Sequence, residues 1–199
     1  MELQRALSDL AEVRDRLAHV QRFEGYSGPA AVASGIVALV AGYAQLRLVP
    51  HPQNPGAFRT YLLIWMLCLA VALALNYGAV AVWLIRNRGP GAQSRFRTAA
   101  LSIAPSIVLG GALSVALLHH GTYALLPGTW FAFYAIGLFA SRTVIPEAAL
   151  AIMAGFALLA VLFLATPLEG EALSWWVVPL GFGIGQIGIG CLLWRSRTQ

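Results

Sequence analysis

The sequence contains long uncharged, apolar segments, and the histidines and glutamates between them are the side chains best suited to binding a metal ion. Imidazole and carboxylate groups are suitable ligands for Zn²⁺ and Cu²⁺. The topology derived below places five of them on the outer side of a membrane, which predicts a Zn or Cu site at the outer rim formed by His51, His119, His120, Glu169 and Glu171. Neighbours on a helix point about 100° apart, so His119 and His120 can bind one ion only if the backbone bends. Rim histidines without a metal are the commoner arrangement, and no other cofactor is implied.

Three amide side chains lie inside the apolar runs, where polar groups need partners because water is absent. They are Asn76, Gln186 and Gln45. One interpretation is hydrogen bonding between helices, which contributes about 0.6 kcal/mol per contact in a membrane. The other is a cavity in which the amides bind a neutral or weakly polar ligand. Substitution by leucine separates the two, because packing residues affect the fold whereas cavity residues affect the ligand response.

The sequence lacks the common motifs of hydrolytic enzymes. It contains neither the H-E-x-x-H zinc motif nor the G-x-S-x-G nucleophile turn. The centres of the apolar runs also lack Asp, Glu, Arg and His, the groups on which proton-coupled pumps depend. These observations argue against an enzyme and against an ion-driven transporter. An enzyme that acts on lipid through His119 or His120 is a weaker alternative.

Long apolar helices are the elements that must position these residues. Only 11% of the 199 residues are charged, whereas about a quarter are charged in a soluble domain. Residues 98–141 contain no Asp, Glu, Lys or Arg, and a single helix of that length would extend about 66 Å, twice the hydrocarbon thickness of a bilayer. A turn is therefore predicted at residues 119–122. The predicted fold is an all-α, polytopic integral membrane protein, a six-transmembrane-helix bundle with spans at about 29–48, 58–85, 98–118, 124–141, 146–166 and 173–194.

The arginines predict the orientation of this bundle. All 13 basic residues are Arg, and only Arg47 and Arg59 fall on one side of the predicted spans. The positive-inside rule then places both termini in the cytoplasm of a multi-pass protein of the cell (inner) membrane. The net charge of +5 does not indicate nucleic-acid binding, because the arginines lie at span ends.

Residues 1–26 are predicted to form a cytoplasmic amphipathic helix, and residues 27–199 the six-span domain. Apolar residues of this helix recur at the three- and four-residue spacing of a coiled-coil seam. The helix would pair with a second copy or a cytoplasmic protein, lie along the lipid headgroups, or fold back onto the bundle. Its charges are nearly balanced, whereas surface helices are rich in Lys and Arg, so pairing is favoured. The predicted partner interface consists of Leu3, Leu10, Val13, Leu17 and Val20.

Glycines mark one face of the first span and one face of the last. Small residues let helix backbones approach closely in a membrane, so these positions are predicted to be helix-packing contacts. A phosphate loop is excluded, because it requires a strand, a loop and the start of a helix. The glycines are Gly35, Gly42, Gly181, Gly185 and Gly188.

Together these patterns predict a non-catalytic integral membrane module, an anchor, sensor or accessory subunit. Its N-terminal helix, residues 2–23, would mediate self-association or dock a cytoplasmic partner. The lipid bilayer is its other partner. The alternative function is a small transporter or channel for a neutral or lipophilic solute, which would use the proline-containing spans three and six.

Overall fold

The structure is a computed structural model that describes residues 26–87, 90–142, 147–166 and 170–198. Every regular element in these ranges is helical, which confirms the all-α prediction for this part of the chain. Two short 3-10 turns, Tyr123–Leu125 and Glu147–Ala149, precede the fourth and fifth α-helices, and a π-helical turn, Pro179–Gly183, precedes the last. The α-helices are α1 (Gly28–Leu48), α2 (Pro55–Arg86), α3 (Pro90–His119), α4 (Leu126–Ala140), α5 (Leu150–Ala165) and α6 (Ile184–Thr198).

Five helical segments in the described ranges have the length and apolar composition needed to cross a membrane. They are Gly28–Leu48, Pro55–Arg86, Ala100–His119, Tyr123–Ala140 and Glu147–Ala165. These apolar helices indicate a membrane-embedded helical protein. The sixth predicted span, residues 173–194, is divided between the π-helical turn and α6, which has 15 residues.

Local sequence explains where the helices begin and end. Ser27 and Asn54 accept backbone N–H bonds at 3.3 and 2.9 Å as the N-caps of α1 and α2, and a proline lies in the first turn of each helix. Helix α3 begins at Pro90 rather than at residue 98, because an apolar run marks the lipid-facing length and not the end of a helix. At the turn after α3, Gly121 has φ 71°, a conformation that glycine adopts without steric cost.

Helices α1 and α4 hold the described bundle together. Helix α1 packs against α2 and against the π-helical turn with α6, while α4 packs against α3 and α5. One apolar core joins α4, α5 and α6 around Phe131 and Phe156, and a second joins α1 and α2 around Tyr61 and Trp65. The outer faces of α2 and α3 carry many exposed Leu, Ile and Val side chains, which suits contact with lipid.

Candidate functional site

Gln45 of α1 connects three parts of the bundle through a single buried amide. Its Nε2 donates to the Leu173 carbonyl oxygen at 2.8 Å, and its Oε1 accepts the Trp65 indole N–H at 2.8 Å. The side chain is 0% exposed. Because both ends of the amide are bonded to protein groups, a ligand would have to displace one of these bonds to reach it.

Asn76 of α2 forms a similar link to α1. Its Nδ2 donates to Ser34 Oγ at 2.6 Å and to the Ala72 carbonyl oxygen at 2.9 Å. Ser34 Oγ in turn donates to the Ala30 carbonyl oxygen at 2.8 Å. The half-buried Asn76 therefore connects the backbones of two helices through a hydroxyl group.

Gln186 of α6 connects the last helix to α4. Its Nε2 donates to the Tyr134 hydroxyl at 2.5 Å. The Tyr134 ring packs against Phe156 of α5 and Phe182 of the π-helical turn, with ring centroids 4.7 and 5.1 Å away. The Gln186 amide is thus directed into an aromatic cluster that joins α4, α5 and the last helix.

Sequence reasoning missed the aromatic partners of these polar groups. Trp65 binds Gln45, Tyr134 binds Gln186, and Trp130 of α4 donates to Ser114 Oγ of α3 at 3.0 Å. One signal was available in the sequence. Trp65 lies well inside an apolar run instead of at a membrane interface, and a buried indole N–H requires an acceptor.

Two glycines of α1 lie directly against the last helical segment. A Cβ added at Gly35 would lie 2.7 Å from the Gly183 carbonyl oxygen and 2.9 Å from the Ile187 backbone nitrogen. A Cβ added at Gly42 would overlap the ring of Pro179 at 2.1 Å. All three distances are below normal contact, so the two helices approach this closely only because glycine has no side chain.

The three glycines singled out in the last span face different neighbours. A Cβ added at these positions would lie 2.3, 2.6 and 2.9 Å from the nearest side-chain carbon of α4 or α5. The last helical segment therefore uses one face against α1, through Gly183, and another against large side chains of α4 and α5. The contacts on this second face are Gly181 with Phe131, Gly185 with Phe156, and Gly188 with Ile152.

At the predicted outer rim, His51 and Glu171 meet through Ser174. Ser174 Oγ donates to Glu171 Oε2 at 2.7 Å and lies 3.1 Å from His51 Nδ1. A hydroxyl carries one proton, so with Glu171 accepting it the second contact is a hydrogen bond in the tautomer that carries the proton on His51 Nδ1. This arrangement ties the segment before the last helix to the loop between α1 and α2.

The other described residues of the predicted metal site, His119 and His120, are not assembled with this pair. His119 and His120 are exposed, with ring centroids 5.4 Å apart and planes at 79°, and Glu169 lies outside the described residues. Within the described ranges, no three His, Cys, Asp or Glu side chains form a group that could hold a metal ion. A Zn or Cu site at the outer rim stays a prediction.

The predicted partner interface of the N-terminal helix lies outside the described residues, so it depends on the sequence pattern alone. The first described residue is Tyr26, where burial raises the pKa to about 12 and the nearby Ser141 side chain acts in the opposite direction. Tyr26 thus packs next to the end of α4. The interface residues concerned are Leu3, Leu10, Val13, Leu17 and Val20.

The Tyr61 hydroxyl is fully buried and has no hydrogen-bond partner among the described residues. Its ring stacks on Trp130, with centroids 6.3 Å apart and planes at 7°. An unpaired buried hydroxyl costs about 1–3 kcal/mol, so Tyr61→Phe is expected to raise the thermal unfolding midpoint by several degrees while the stacking is kept. Purified protein in detergent provides the measurement, with the exposed Tyr43→Phe as control. A lower midpoint for Tyr61→Phe than for Tyr43→Phe would contradict this expectation.

The described contacts of these polar residues connect helices and loops to one another. Comparison with models of protein families, with curated proteins and with solved structures finds no match to this chain. A function must therefore be inferred from the contacts and the sequence pattern.

Proposed function

We propose that the chain is a non-catalytic integral membrane module, an anchor, sensor or accessory subunit, whose N-terminal helix self-associates or docks a cytoplasmic partner. The observation that supports this proposal is the bonding of the three intramembrane amides. Gln45, Asn76 and Gln186 each donate to another part of the bundle. A pathway for a solute would instead use such groups to line a cavity, as polar residues do in transporters.

The proposal includes six spans with both termini in the cytoplasm. Residues 177–198 are helical without a break, through the π-helical turn and α6. At 1.5 Å per residue the uncharged part of this segment, residues 177–194, extends about 27 Å, close to the thickness of the hydrocarbon core. The distribution of the arginines supports the orientation, because basic residues accumulate on the cytoplasmic side.

Paired glutamine substitutions in the seam test the role of the N-terminal helix. Leu10→Gln with Leu17→Gln removes apolar seam contacts without changing the charge, so it should weaken association. Arg5→Gln with Glu12→Gln is the matched control, since these positions lie off the seam and the net charge again stays constant. Native mass spectrometry of purified protein should show the seam variant shifted toward the monomer, while the control keeps the wild-type distribution. For a cytoplasmic partner, the seam variant should lose the partner that copurifies with the control.

Two outcomes contradict this proposal. The first is a seam variant that matches its control in oligomeric state and in copurifying partners. The second is flux of a neutral solute into liposomes that is lost on Gln186→Leu, because that result would favour the small transporter or channel instead.

A further inference from the structure

A groove with exposed apolar edges runs along the surface of the bundle between α4 and α5. Its volume is about 460 Å³, in the range of sites that bind small molecules. All of its lining residues are apolar, and alanines make up much of the surface. The deepest are the buried Ala135 and Ala160, the half-buried Ala132 and Ala157 lie beside them, and the exposed Ile136 and Val161 stand at the edges.

An arginine lies just beyond the end of α4, one of the two helices that form this groove. Arg142 follows the C-cap Ser141, is exposed, and its Nη1 donates to the Phe139 carbonyl oxygen at 3.4 Å. Phe139 itself lines the groove. The hydrogen bond therefore directs the guanidinium back toward the backbone of a groove-lining residue.

We propose that the groove and Arg142 together bind an anionic phospholipid, with one acyl chain along the alanines and the phosphate at the guanidinium. An acyl chain has no side groups, so it can follow a narrow surface of alanines between two helices. Arginine binds phosphate through charge-assisted, often bidentate hydrogen bonds. The positive-inside arrangement puts Arg142 on the cytoplasmic side, where anionic lipids are concentrated. The site goes beyond the proposed function and does not depend on the N-terminal helix, but the choice of an anionic lipid rests on the orientation included in that proposed function.

Native mass spectrometry of the full-length protein tests the headgroup contact. Phosphatidylglycerol and phosphatidylcholine with identical acyl chains are compared at equal concentrations. A basic residue near the membrane surface contributes about 1 kcal/mol toward anionic lipid, so Arg142 should raise the preference for phosphatidylglycerol about fivefold. Arg142→Gln should lower the wild-type preference by this factor. Arg86→Gln, which removes an exposed arginine at the end of α2, should lower it less.

A second pair of variants tests the acyl-chain contact. Ala157→Leu fills the groove and should reduce retention of both lipids, whereas Ala112→Leu adds the same atoms to an exposed position on α3 and should not. The proposal is overturned if Arg142→Gln keeps the phosphatidylglycerol preference, or if Ala157→Leu retains lipid as Ala112→Leu does. A dimer that dissociates in Ala157→Leu would assign the groove to a second copy of the chain and also overturn it. Arg142 is exposed, so its variant gives a result even if Ala157→Leu fails to fold.

Discussion

Gly35→Ala is expected to destabilise the bundle by about 3 kcal/mol, although it adds only one methyl group. The added Cβ would lie 2.7 Å from the Gly183 carbonyl oxygen and 2.9 Å from the Ile187 backbone nitrogen. Both atoms belong to the backbone of a helical segment, so no change of rotamer relieves the overlap and α1 must move away. Chemical or thermal unfolding of the purified variant in detergent measures the loss.

The control for this substitution is another glycine in an apolar helix. A Cβ at Gly111 of α3 has no neighbour within 4 Å, so Gly111→Ala should be neutral, or stabilising by up to about 1 kcal/mol through helix propensity. Gly190→Ala should resemble Gly35→Ala, because its Cβ would lie 2.7 Å from the Gly28 carbonyl oxygen on the opposite side of the same contact. Equal stability of the Gly35 and Gly111 variants would rule out the close backbone approach.

The five described helical segments long enough to cross a membrane were predictable from the sequence, whereas their pairing was not. A charge-free run of about 20 residues is itself sufficient to indicate a membrane helix, since its length is set by the bilayer. Glycine spacing shows which face of a helix can be approached but does not identify the neighbour. Gly183, which meets Gly35, was not among the glycines that the sequence analysis selected, because the last span carries glycines on more than one face.

The hydrogen-bond partners of the candidate residues could not be predicted from the sequence either. The sequence selects Gln45 because a polar group in an apolar run is unusual, but its acceptor is the Leu173 carbonyl oxygen, 128 positions away. A backbone acceptor has no sequence signature. Likewise, topology alone placed His51 and Glu171 on one side of the membrane, but the serine between them became evident only from the packing of two loops.

Gln45→Leu is expected to destabilise the protein by about 2–5 kcal/mol. Leucine has a similar size, but it leaves the Trp65 N–H and the Leu173 carbonyl oxygen buried without their partner. Each unpaired buried group costs about 1–3 kcal/mol. Gln186→Leu should cost less, because that half-buried amide has a single described partner, Tyr134. Unfolding of the purified variants in the same detergent gives the comparison.

A double-mutant cycle with Trp65→Phe separates packing from ligand binding. Phenylalanine removes the indole N–H, so Gln45→Leu in that background no longer leaves this donor without an acceptor. The substitution should then cost less than in the wild type, by about 0.6–1.7 kcal/mol, the range that double-mutant cycles give for hydrogen bonds between membrane helices. A bonded pair requires this positive coupling, because the two substitutions remove the same interaction. If the costs simply add, the bond between Gln45 and Trp65 is contradicted. If Gln45→Leu is also as stable as the wild type, Gln45 does not connect parts of the bundle, and the ligand-cavity interpretation of this amide becomes the better one.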